Sequence, residues 1–209
     1  MKDNRKNIQK YKPLPQIILA SQSPRRKEIL EVHGHKPVIV PAYVDEIVPP
    51  GMSPKDATIY LALKKGRFVS RNYPDIFSGG EVIIASDTIV YKDTILGKPA
   101  DESEARKMIK KLRGTSHEVI TGVALIEAGT NRECCFHETT KVFCRNMSDY
   151  EVEEYISTKE PYDKAGGYGI QGIFGKYIDH IEGDYENVVG LPYQRLKVEL
   201  VRFLEESIL

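Results

Sequence analysis

The chain is short of several things, and each shortage closes a door. No apolar run approaches the length needed to span a membrane. No charge sign dominates: 30 Lys and Arg balance 30 Asp and Glu, for a formal net charge of zero. A general nucleic-acid-binding coat is therefore not indicated, which leaves room only for a local basic cleft. The cysteines are Cys134, Cys135 and Cys144, of which an adjacent pair is a poor disulfide candidate. There is no C-x-x-C or Cys/His ligand spacing, so a reducing cytosol is the expected compartment. The five histidines are scattered and support neither a zinc site nor a Ser-His-Asp triad. Repeats, low-complexity tracts, a Walker sequence and the H-R-D and D-F-G patterns are all missing. The N-terminal MKDNRKNIQKYKPLPQ lacks an apolar core and so is not a secretory signal. Asp3 and the lack of serine also count against a transit peptide. Residues 1–16 are expected to form a flexible extension, and residues 17–209 a single domain large enough for a real core.

What is present begins with IILASQSPRRKEIL, Ile17 to Leu30. Ile17, Ile18 and Leu19 predict a buried strand. Ala20 to Ser23 suit a tight turn, with Ser23 as N-cap and Pro24 at the first position of a helix. Arg25 and Arg26 then fall in the first helical turn, where the helix dipole disfavours cations by roughly 0.3–1 kcal/mol each. An anion at the turn removes the conflict, because free N–H groups, Ser21 and Ser23 hydroxyls and two guanidinium forks converge on it. Two solvated arginines are the alternative.

Along the chain, Lys36 to Pro41 predicts a short strand, and Ala42 to Met52 a loop carrying Asp45 and Glu46. Ser53 and Pro54 open a helix whose apolar stripe runs through Ala57, Tyr60, Leu61 and Phe68. Lys65 falls on that stripe; a snorkelling side chain is the commoner outcome, and an ammonium aimed into a cleft the other. Val82 to Ala85 predict a buried strand ending on Asp87, with Ile89 to Tyr91 continuing extended. Gly97-Lys98-Pro99 puts a lysine on a kinked loop, and Asp101 with Glu104 opens a helix burying Ala105, Met108, Ile109 and Leu112. His117 to Glu127 and Glu133 to Arg145 read as a hairpin of scaffold strands with no chemistry. Ser148 with Glu151 caps a helix. Between Tyr162 and Pro192, glycines at 166, 167, 169, 172 and 175 imply unusual backbone angles or a ligand against the main chain. Gln171 is the side chain there able to read an amide or carbonyl edge. Tyr177 to Glu182 returns as a strand, and a last helix buries Leu196, Leu200, Phe203 and Leu204. The order predicts an α/β fold: a mixed, strongly twisted sheet flanked by helices, in two lobes with a central cleft.

The candidate polar groups are Arg25, Arg26, Lys65 and Lys98 on the positive side, and Glu46 and Asp87 on the negative. Phosphoanhydride hydrolysis needs such a set: cations for developing oxygen charge, carboxylates for a divalent ion, and a base for in-line attack. The runs ILASQSPRRKEIL, ASDTIVYKDTILGKPADESEA and GGYGIQG…IEGDYENVVGLP, in this order, resemble the Maf family of nucleoside triphosphate pyrophosphatases. The resemblance implies a fold related to the inosine triphosphate pyrophosphatases. It implies cleavage of a nucleotide to its monophosphate and pyrophosphate with Mg²⁺ or Mn²⁺, and commonly a homodimer. It carries the general base onto Asp87 and the phosphate turn onto Ser21, Arg25 and Arg26. Further catalytic positions fall on Glu46, Lys65 and Lys98. From the residue inventory, the carboxylates of Glu46 and Asp87 are the candidate metal ligands. Arg25, Thr88 and Gln171 match the selectivity positions of the subgroup that prefers dTTP and UTP; another subgroup prefers 7-methyl-GTP. Gln22, where a smaller residue is usual, and Gly167, where alanine is common, depart from the pattern and touch loop shape. A cytoplasmic enzyme that cleanses nucleotide pools is expected, modified pyrimidine nucleotides included. A nucleotide-binding regulator of septum formation is the competing reading; the intact carboxylates favour the enzyme.

Overall fold

The computed structural model describes residues 15–206, so residues 1–14 of the expected extension lie outside the described residues. Gln16, the last residue of that extension, is tied to the sheet: its carbonyl accepts from Val82 N–H at 3.1 Å and its amide donates to the Lys36 carbonyl at 3.0 Å.

Strand β1 (Ile17–Leu19) is buried throughout and leads through a tight turn into α1 (Pro24–Val32). Strand β2 (Val38–Ile39) is far shorter than the expected Lys36–Pro41. It is a sheet edge, half-exposed at both residues, and Pro37 and Pro41 flank it without an N–H to extend the ladder. Helix α2 (Pro54–Asn72) starts as the sequence implies, with the Ser53 hydroxyl accepting from Asp56 N–H.

Strand β3 (Val82–Lys92) is one continuous strand, not one that ends at Asp87. Asp93, with φ 58°, turns it into β4 (Thr94–Leu96). Helix α3 (Glu102–Leu112) and the long hairpin β5 (Ser116–Glu127) and β6 (Glu133–Cys144) follow. After α4 (Asp149–Ile156), with its Ser148/Glu151 capping box, short 3₁₀ turns lead to β7 (Ile178–Glu182). Helix α5 (Tyr185–Val189), which the sequence reading missed, and α6 (Tyr193–Glu205) complete the described chain. The mixed sheet runs β2-β1-β3-β5-β6-β7, with β4 added to β3. Leu204 in α6 is half-buried instead of buried.

Separate cores serve the two ends of this sheet. Ile17, Leu19, Ile84 and Leu125 pack under α6 on one face, and Ile18, Ile83, Ala85 and Ala124 pack under α2 on the other. Farther along, Val90, Val119 and Val142 pack against α3, α4 and the turns around Tyr168 and Phe174. Helix α2 lies directly on β5: a Cβ on Gly122 would come within 2.4 Å of the Thr58 carbonyl carbon.

Pairing along β3 decides where a cleft forms. Strand β5 runs beside it from Val82 to Tyr91. On its opposite edge, β1 pairs only as far as Leu19 with Ile84, and β4 begins only at Val90 with Leu96. Among the described residues, no strand covers that edge from Ala85 to Ile89, and Asp87 and Thr88 stand in the gap.

Candidate active site

Every residue singled out from the sequence lines one cleft of about 730 Å³ at this gap: Ser21, Arg25, Arg26, Glu46, Lys65, Asp87, Thr88, Lys98 and Gln171. Chain reversals deliver them. The β1–α1 turn brings Ser21 and the arginines, the loop before α2 brings Glu46, and β3 itself supplies Asp87 and Thr88. Lys98 rides the Gly97–Pro99 kink, where the Gly97 carbonyl accepts from Gly166 N–H at 2.9 Å.

The β1–α1 turn is held by its own side chains. Ser23 occupies the N-cap position but its hydroxyl does not cap the helix. Ser21 Oγ instead accepts from Ser23 N–H at 3.1 Å and from Arg26 Nη1 at 3.2 Å. Arg26 also donates from Nε to the Gly190 carbonyl at 2.9 Å and from Nη2 to Thr88 Oγ1 at 3.2 Å. Arg26 is therefore only partly available to a ligand. Arg26 spends much of its donor capacity stitching β1–α1 to β3 and to the end of α5. Burial pulls its pKa below the ordinary arginine value, partly offset by the charge of Asp87; the group stays cationic. Arg25 is half-buried and makes no hydrogen bond among the described residues.

Lys65 does not snorkel. Its residue is 8% exposed, and Nζ lies 2.5 Å from Asp87 Oδ1 and 2.7 Å from Glu46 Oε1. The reason is tertiary: Gly122 lets α2 sit close to the sheet, which aims the stripe position of Lys65 at the gap and its two carboxylates. At Glu46, desolvation pushes the carboxyl pKa up, but the hydrogen bond and charge of Lys65, with Lys98 and Arg26 behind, bring it below the ordinary value. Among the described residues, no group of three or more His, Cys, Asp or Glu is placed to hold a metal ion by itself.

The glycine-rich segment forms the far wall. Gly166 (φ 68°) and Gly167 (φ 72°) adopt left-handed backbone, and a Cβ on Gly166 would come within 2.8 Å of Val90. Glu160 accepts from Ile173 N–H at 2.6 Å and Phe174 N–H at 3.2 Å, fixing the turn just after Gln171. Tyr168 packs in the wall, its hydroxyl 2.6 Å from His117 Nε2 on β5. Gln171 is exposed along the rim.

Strand β5, read from the sequence as scaffold, backs the cleft from behind Thr88. Thr121 Oγ1 lies 2.9 Å from Thr88 Oγ1 and donates to the Asn187 carbonyl at 2.9 Å. Thr121, Asn187 and Gly190 had no role in the sequence reading. The signal was present in the GDYENVVGLP run, but the pairings join residues 33 to 164 positions apart and follow no local period.

A family model described as Maf-like protein matches residues 16–203. The chain belongs to the Maf family. A Bacillus cereus protein (strain ATCC 10987) named dTTP/UTP pyrophosphatase is 45% identical over 191 residues, covering 91% of each chain. A Geobacillus relative (strain WCH70) with the same name is 44% identical over 90% of this chain and 98% of its own. Among solved structures, that of the Staphylococcus aureus Ham1 protein overlays 92% of this chain and 99% of its own at 14% identity, with a TM-score of 0.45. Among the described residues, no helix of this Maf protein is long and apolar enough to cross a membrane.

Proposed function

We propose that this Maf protein is a hydrolase that cleaves dTTP and UTP between the α- and β-phosphates, releasing the nucleoside monophosphate and pyrophosphate. Similarity to relatives bearing that name supports the substrate class. The observation that carries the chemistry is the Lys65 ammonium clasped between Asp87 and Glu46, in the cleft that Arg25, Arg26 and Lys98 also line.

In this reading Arg25 and Lys98 grip the outer phosphates, and the donors that Arg26 has left over reach the phosphate nearer the turn. Lys65 holds Asp87 Oδ1, so Oδ2 takes the proton from water as its oxygen attacks the α-phosphorus. The bond from that phosphorus to the bridging oxygen breaks, and pyrophosphate carries the electron pair away. Glu46 and Asp87 are hard oxygen donors too few to cage an ion alone, which suits Mg²⁺ or Mn²⁺ bound jointly by one or two carboxylates and substrate phosphates. Such an ion supplies charge neutralisation for the phosphate oxygens. Free Cys134, Cys135 and Cys144 accord with a cytoplasmic enzyme that trims nucleotide pools.

The test incubates purified protein with dTTP, UTP, CTP, GTP and 7-methyl-GTP, each with and without Mg²⁺ or Mn²⁺. Equal yields of monophosphate and pyrophosphate from dTTP and UTP are expected. Diphosphate with orthophosphate, or no turnover of either pyrimidine, overturns the proposal.

A further inference from the structure

Helix α1 carries Arg25 and Arg26 into the cleft, yet its own anchorage is slight. Within it only Ile29 and Leu30 are buried. Its first turn holds two cations and no acid, the arrangement that the helix dipole disfavours. What fixes the helix are ties from its two ends to one short segment, residues 185–193.

At the N-terminal end, Arg26 Nε donates to the Gly190 carbonyl at 2.9 Å. At the C-terminal end the C-cap residue, His33, lies against the same segment. A carboxylate only accepts, so His33 Nε2 carries the proton in its 2.7 Å contact with Glu186 Oε1. The His33 ring lies flat on that of Tyr193, with 3.6 Å between centroids and 3° between planes. The Tyr193 hydroxyl is in turn 2.8 Å from His35 Nε2. Both the nitrogen and the ring plane of His33 are thereby fixed, and its side chain and that of Glu186 are only 25% and 24% exposed. Neither residue lines the cleft.

Glu186 and Gly190 are themselves joined. The Glu186 carbonyl accepts from Gly190 N–H and Leu191 N–H, each at 2.9 Å, which closes α5. The ties form a ring: Arg26 to Gly190, Gly190 to Glu186, Glu186 to His33, and His33 back along α1 to Arg26. Opening it at His33 frees α1 to pivot about Ile29 and Leu30, and the displacement falls on the arginines at its other end. We propose that His33 is a positioning residue, remote from the cleft, that through Glu186 and Gly190 holds the α1 arginines in place for the phosphates of a ligand. This rests on the triphosphate reading above.

The test measures kcat and KM for dTTP, and the dissociation constant of pyrophosphate by calorimetry with Mg²⁺ present. It compares the wild type with His33→Phe, Glu186→Ala, the double variant and His33→Gln, at a temperature where each is folded. His33→Phe keeps a ring against Tyr193 but loses the donor, whereas His33→Gln restores an N–H of similar reach. KM and the pyrophosphate dissociation constant should rise about fivefold or more in both His33→Phe and Glu186→Ala, with kcat within about twofold, because a displaced arginine weakens phosphate binding in ground and transition state alike. The double variant should be no worse than either single one, and His33→Gln should recover most of the loss. Glu31→Ala, which removes an exposed pair with Lys27 at 3.4 Å on the same helix, should alter neither constant. A merely structural tie would lower the melting temperature and leave both constants at their wild-type values; that result, or effects that multiply in the double variant, overturns the proposal. If His33→Phe does not fold, Glu186→Ala decides in the same way. Wild type that binds pyrophosphate but cleaves neither dTTP nor UTP would remove the substrate reading and leave the clamp to the binding data; wild type that does neither removes both.

Discussion

Lys65 and Asp87 are joined across 2.5 Å between a helix and a strand that are 22 residues apart in sequence, with both side chains almost wholly withdrawn from solvent. Glu46 makes the second contact to the same ammonium, so two carboxylates are held close together by one cation.

Replacing that cation tests what it does. Lys65→Met keeps the bulk of the side chain but leaves Asp87 and Glu46 without their shared partner. Activity on dTTP is expected to fall by about 10²-fold or more, the usual scale for removing a group that organises transition-state charge. The pH profile should move as well. Lys65 holds the Glu46 carboxyl below its ordinary value, so the stability this pair contributes is present above the unfolded value and lost as pH falls through the folded one. Without Lys65 the Glu46 pKa rises, and the acid limb of residual activity should shift to higher pH. An unshifted limb would mean that Glu46 does not feel Lys65.

At Gly122 the backbone of α2 lies directly against the sheet. A Cβ there would meet the Thr58 carbonyl carbon at 2.4 Å and the Ile59 nitrogen at 2.6 Å, both of them backbone atoms that do not swing aside. Gly122→Ala is expected to cost about 1–3 kcal/mol by overpacking. It should also lower activity beyond that stability loss, because α2 carries Lys65. The check is a denaturant melt together with kcat at a temperature where the variant remains folded. Unchanged values for both would show that α2 does not need this approach.

How much of this was legible in the chain divides along the range of the interactions. The β1–α1 turn, the start of α2 and the Ser148/Glu151 cap were readable because caps, prolines and apolar spacing act within a few residues. Asp87 was found, but its setting was misjudged. The strand does not end there; β1 stops at Leu19 while β3 continues, and that depends on a pairing register that no local pattern states. The sequence leaves Lys65 between snorkel and cleft because its helix alone does not reveal Asp87 across from it. That Arg26 is also tied to the Gly190 carbonyl, 164 residues on, has no local signal in the sequence. Helix α5, at five residues, is too short to show a period.

His117 provides a separate pH signal. It is buried on β5 against Tyr168 and Cys144, and faces the charge of Lys92. Burial first, and then Lys92, lower its pKa from 6.5 to about 4. The folded protein therefore keeps it neutral while the unfolded chain protonates, so its contribution is complete above about pH 6.5 and is lost as pH falls toward about 4. That difference corresponds to about 3 kcal/mol at the low end. Denaturant midpoints taken from pH 7 to pH 4 should fall more steeply for the wild type than for His117→Gln, which does not titrate. Parallel curves would show that His117 does not become charged on unfolding.

The account depends most on Asp87 acting on water at the gap in the sheet. Asp87→Asn preserves the size of the side chain and removes its capacity to take a proton. Pyrophosphate release from dTTP, measured at saturating substrate and Mg²⁺ on protein shown to be folded, is predicted to fall by about 10²-fold or more; release within a few-fold of the wild type would contradict it.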